Sequence, residues 1–146
     1  MNYKSKRFKT NTVIEYASVF LMGAAAYFLA ELVYRGYSHI TMFFAGGICF
    51  FLIYICEKRL NGINIFVRSI IYALVITAVE FVFGIVFNII LGLQVWDYSE
   101  LPFNILGQVC PGFVLMWMAL SFPAVLLCRI IREFFRKKTD DNALVK

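Results

Sequence analysis

Four apolar stretches, each long enough to cross a bilayer as a helix, constrain this chain more than any motif in it. They run at about residues 12–33, 38–56, 69–93 and 104–128. A hydrocarbon core about 30 Å thick takes roughly 20 apolar residues to cross in an α-helix. Backbone N–H and C=O groups find no water at that depth, so segments that satisfy their own hydrogen bonds are the expected form. With 62% hydrophobic and 16% charged residues, a water-soluble fold of 146 residues could not hide its apolar surface. The expectation is an all-α membrane protein of four transmembrane helices, a single polytopic domain over residues 1–146 ending in a basic tail at 129–146.

Orientation follows from the basic residues, because Lys and Arg in short loops stay on the cytoplasmic side. Lys4, Lys6, Arg7 and Lys9 precede the first span, Lys58, Arg59 and Arg68 follow the second, and Arg129, Arg132, Arg136, Lys137, Lys138 and Lys146 follow the fourth. Of the 14 basic residues only Arg35 falls on the other side. Both termini are therefore expected in the cytoplasm, with the chain multi-pass in the cell (inner) membrane. The net charge of +5 then reads as orientation and contact with the lipid bilayer, not with nucleic acid. The first apolar run is too long for the core of a signal peptide, so it reads as a retained helix.

Glu80 is the only charge in the 25 residues from Ser69 to Leu93. A carboxylate at bilayer depth costs at least roughly 2.5 to 3.5 kcal/mol on insertion scales, so it is expected to face a partner, a bundle interior or a watery path. Thr77, Glu80, Gly84, Asn88 and Gly92 follow in helical steps along one stripe, which suits close helix approach and hydrogen bonding. Gly46-Gly47 allows a second close contact. Pro111-Gly112 and Pro123 are expected inside the fourth helix, where proline bends the axis.

The two outer connections hold the remaining polar candidates. Glu31 and Arg35 stand four apart, as an ion pair on one helix face would, with the sole histidine, His39, close behind. They are either a structural pair or the rim of a polar site. In the second connection, Trp96, Tyr98 and Tyr37 suit an aromatic belt at the headgroups. Ser99, Glu100 and Pro102 read as the cap and first turn of the fourth helix. On that reading Asn104 and Gln108 share a helical face, and Asp97 lies just outside it. Tyr37-Ser38 and Tyr98-Ser99 each precede a glycine by the same interval, Gly46 and Gly107, which hints at a duplicated helical hairpin.

Several chemistries lack their residues. Cys49, Cys56, Cys110 and Cys128 form no C-x-x-C pair and, beside one histidine, offer no metal ligand set. No phosphate-loop motif for ATP is present, and nothing calls for a cofactor.

Arg35-Gly36-Tyr37-Ser38-His39, Met42-Phe43 with Gly46-Gly47, Glu80-Phe81 with Gly84 and Asn88, and the Trp96 to Gln108 run resemble the CmpB-like family of small bacterial membrane proteins, ABC-transporter permeases of type IV. The resemblance covers about Glu31 to Ser121 and departs at Pro111-Gly112. It implies a transporter permease component that works as a homo-oligomer or with other membrane subunits and a separate ATPase. The residues themselves suggest a polar intramembrane site centred on Glu80, with Asn88, Glu31, Arg35, His39, Asp97, Asn104 and Gln108 around it, for a small solute or ion. Two rivals remain: a membrane-embedded enzyme acting on lipid, with Glu80, His39 or Asp97 as acid and base, and a non-catalytic partner subunit that uses the Glu80 stripe for helix association.

Overall fold

The computed structural model describes residues 3–60 and 62–144, with side chains described for 12–60 and 62–138. The helices are α1 (Tyr3–Arg35), α2 (Ile40–Leu60), α3 (Ile65–Phe83) and α4 (Pro111–Leu144), and α3 runs on into a wider π-helical segment at Gly84–Ile90. Four helical stretches are long and apolar enough to cross a membrane: Thr12–Arg35, Ile40–Leu60, Ile65–Ile90 and Pro111–Lys138. The chain is thus a multi-pass membrane protein.

Local chemistry sets the helix ends. Gly36, at φ +77°, ends α1, and its N–H bonds back to the Leu32 carbonyl at 3.0 Å, the left-handed stop that a side chain would strain. The Asn64 side chain accepts from the Phe66 N–H at 2.8 Å to start α3. Pro111 opens α4, where its missing N–H costs nothing.

Two tight hairpins, α1 with α2 and α3 with α4, are joined mainly through α2 and α3; α1 and α4 touch only sparsely. Glycine makes the first hairpin possible. A Cβ on Gly46 would stand 2.3 Å from the Tyr27 Cβ and 2.9 Å from the Gly23 carbonyl oxygen, so backbone meets backbone there. The core runs from Val19 and Phe50 through Ile53, Tyr54 and Tyr72 to Trp117, Val125 and Ile131.

Three sequence expectations change. The fourth helix begins at Pro111 and not at Asn104, because Phe103, Leu106 and Gly107 adopt positive φ values of 57°, 53° and 68° that no α-helix accommodates. Ser99, Glu100 and Pro102 therefore cap no helix, and Pro111 starts one instead of bending it. Residues 91–110 fold as an irregular cap pinned by a bridge between Ile105 and Val109. Gly46 lies inside α2 while Gly107 lies in that cap, so the two repeated dipeptides open different structures. Finally, α4 continues unbroken through the basic tail to Leu144, with Ile131 only 6% exposed, so residues after Cys128 extend the bundle.

Candidate functional site

Glu80 is 6% exposed and points into the bundle. One carboxylate oxygen accepts from the Tyr98 hydroxyl at 3.1 Å and the other from the Trp117 indole N–H at 2.9 Å. The carboxylate therefore ties the cap, through Tyr98, to the second turn of α4, through Trp117. It makes no bond to Asn88 or Gln108. Trp117 escaped the sequence reading, although a tryptophan in mid-span rather than at the interface was a usable signal: its buried N–H needs an acceptor.

Asn88 and Gln108 form a second junction. The Asn88 amide donates to Gln108 Oε1 at 2.8 Å and to the Trp96 carbonyl at 2.9 Å, and its oxygen accepts from the Val95 N–H at 2.7 Å. The Trp96 indole donates to the Gln108 carbonyl at 3.0 Å. Gly84 leaves room for this: a Cβ there would lie 2.5 Å from Gln108 Oε1. The stripe on α3 thus packs against the cap as well as against helices.

Glu31 and Arg35 do pair, at 2.5 Å, and Ser38 donates to the other Glu31 oxygen at 2.5 Å. Arg35 also donates to the Val95 carbonyl at 3.0 Å, which fastens the C-terminal end of α1 to the cap. The remaining candidates serve local turns. His39 Nδ1 lies 2.9 Å from the Thr41 hydroxyl at the start of α2. Asp97 accepts from the hydroxyl and backbone N–H of Ser99, and these two bonds hold its exposed carboxyl below the usual carboxylate range. Asn104 donates to the Ser99 and Leu101 carbonyls and accepts from the Gly107 N–H. Glu80, His39 and Asp97 are thus bonded to three separate sets of partners.

Beside the Glu80 junction lies a cavity of about 400 Å³, bounded by α1, α2 and α4 and roofed by Trp96 and Tyr98. Its wall is aromatic: the Tyr27 and Trp117 ring centroids are 5.9 Å apart, and Tyr98 stacks on Phe113 at 4.2 Å. Glu31 and Arg35 line it at the C-terminal end of α1. Glu80 lies behind the wall, reached through Tyr98 and Trp117, which both line it. Along the sparse α1 to α4 seam, the lining residues Ala26, Ala30, Met116 and Leu120 are all exposed, so the cavity opens sideways toward the bilayer.

The family model described as "Putative ABC-transporter type IV" matches residues 19–144. The chain belongs to that family. The match takes in every residue of both polar junctions and of the cavity, so the type IV family frame and the geometry refer to the same part of the molecule. No solved structure matches the chain.

A third cluster, at the end of the bundle that carries the termini, was not singled out from the sequence. Glu57 is fully buried and accepts from Arg68 and from the Tyr72 hydroxyl at 2.6 Å, with Arg129 Nε at 3.7 Å. Arg68, read as a loop residue, is in fact 4% exposed inside α3. Glu57 sits in a Glu-Lys-Arg run that resembles a solvated helix end, and only the partners from α3 and α4 distinguish it.

Proposed function

We propose that this chain is the membrane-spanning component of an inner-membrane transporter, working with a separate ATPase, and that a small amphipathic solute enters the cavity between α1 and α4 from the bilayer side. One observation carries the reading: a cavity of about 400 Å³ abuts a buried carboxylate whose two donors line it. That volume falls within the roughly 300 to 1,000 Å³ usual for small-molecule sites. The walls take an apolar body, and a donor on the solute, such as a hydroxyl or an ammonium, replaces the Tyr98 hydroxyl on Glu80. Losing that bond frees the cap from α4, so occupancy of the cavity and closure of the roof become linked. Glu80 is then the solute-binding carboxylate, Arg35 and Glu31 guard the outer entrance, and Asn88 and Gln108 keep the cap in register. The burial of Glu80 within its own bundle argues against the rival in which its stripe associates with another subunit.

Native mass spectrometry of protein released from its own membrane tests this directly. A small molecule should be found bound, its occupancy falling sharply in Ala30→Trp, which fills the seam, and in Glu80→Gln, which keeps the shape but not the charge. Equal occupancy in the wild type and both variants would defeat the proposal.

A further inference from the structure

We propose that Arg132, with Arg129 and Lys58 near it, binds the phosphate of an anionic lipid at the end of the bundle that carries the termini. Four cations, Lys58, Arg68, Arg129 and Arg132, meet two carboxylates there, Glu15 and Glu57. Both carboxylates are engaged elsewhere. Glu57 takes Arg68, Tyr72 and Arg129; Glu15 takes Tyr54 and, at 3.0 Å, Lys58. Arg132 lies against the same Tyr54 ring as Lys58, their charged ends 5.8 and 4.8 Å from its centroid. Its Nε and Nη2 atoms are buried and have no hydrogen-bond partner among the described residues. Those two nitrogens form the side of a guanidinium whose parallel N–H groups take two oxygens of one carboxylate or phosphate together. Arg129 is three residues away, on the neighbouring turn of the same face; its Nε stands 3.7 Å from Glu57, and its side chain, 54% exposed, adds positive charge beside the site.

Depth selects the source of the anion. Ile130 and Phe134, on either side of Arg132 in α4, are 56% and 60% exposed, as suits side chains that still meet lipid. A guanidinium flanked in this way lies at the acyl and headgroup boundary, where the phosphates of the leaflet are the anions within reach. Basic pockets between helices at this level suit acidic headgroups. The site is separate from the outer cavity and does not depend on what that cavity carries.

The full chain in nanodiscs of phosphatidylcholine, with and without phosphatidylglycerol, provides the test. Phosphatidylglycerol should raise the melting temperature and stay bound in native mass spectra. Arg132→Gln and Arg132→Lys should each weaken that retention roughly tenfold or more, the lysine variant because it keeps the charge and loses the paired donors. Equal melting of wild type and the lysine variant in phosphatidylcholine alone would show the fold intact, and Arg136→Gln, an exposed position, should behave as wild type. Retention that is unchanged in both Arg132 variants overturns the proposal. A response of the same size to inorganic phosphate alone overturns the lipid source. Unchanged lipid retention with loss of a co-purifying protein assigns Arg132 to a partner's carboxylate and also overturns it.

Discussion

Glu80→Leu and Glu80→Gln separate what the carboxylate does as a hydrogen-bond acceptor from what it does as a charge. In Glu80→Leu the Tyr98 hydroxyl and the Trp117 indole N–H, at 3.1 and 2.9 Å from the present oxygens, lose their acceptor together. A buried donor without a partner costs about 1 to 3 kcal/mol, which gives about 2 to 6 kcal/mol for the two. Membrane double-mutant cycles average about 0.6 kcal/mol per bond, because the unfolded chain in lipid finds partners too, so about 1 kcal/mol is the floor. Glutamine behaves differently. Its oxygen can accept from Trp117, which only donates, while its amide donates to the Tyr98 hydroxyl, which can turn to accept. Both contacts survive, and stability should stay within about 1 kcal/mol of wild type because loss of charge assistance is offset by easier burial. Thermal melting of detergent-solubilised protein, with Trp117→Phe as a single-bond comparison, reads the order: wild type close to Gln, then Phe, then Leu. If Leu melts with wild type, the junction does not hold the cap; if Gln falls as far as Leu, charge and not bond geometry holds it.

Gly84→Ala should destabilise by about 1 to 3 kcal/mol, since its Cβ would meet Gln108 at 2.5 to 2.9 Å and push it off Asn88. Gly112→Ala, with its nearest neighbour at 4.0 Å, should instead gain up to about 1 kcal/mol from helix propensity; melting curves compare the two. Tyr98 is raised well above the ordinary tyrosine value by burial and by the nearby Glu80 charge. Its folded form keeps the proton after the unfolded chain has lost it, so that stability is fully present below about pH 10 and declines as the pH rises further. Tyr98→Phe should flatten this alkaline slope in a melting series, and an unchanged slope would refute the assignment. For orientation, a cysteine placed at Ser99 should react with a membrane-impermeant reagent from the outside of cells, and labelling confined to inverted vesicles would reverse the expected topology.

Much of the architecture was legible because solvent dictates it. Lipid forces any long apolar run to satisfy its own backbone, so four spans followed from residue type and length alone. The Glu31 to Arg35 pair and the close contact at Gly46 were legible for a similar reason: helical spacing fixes which side chains share a face, and a missing Cβ marks where backbones can meet. Residues 91–110 were not legible. The four-residue spacing of Asn104 and Gln108 reads as helix locally, whereas the Asn104 side chain instead closes a turn on the Gly107 N–H and Gln108 bonds to Asn88, 20 residues away, a contact that no local pattern announces. The same limit applies to Glu80 and Glu57. The sequence alone determined that Glu80 had to be partnered, because an unpaired charge at that depth is too costly, whereas Glu57 in its Glu-Lys-Arg run carried no such signal. Only the tertiary structure decided that the partners are Tyr98 and Trp117 in one case and Arg68 and Tyr72 in the other, since which helices cross at which level depends on the whole packing and not on any local preference.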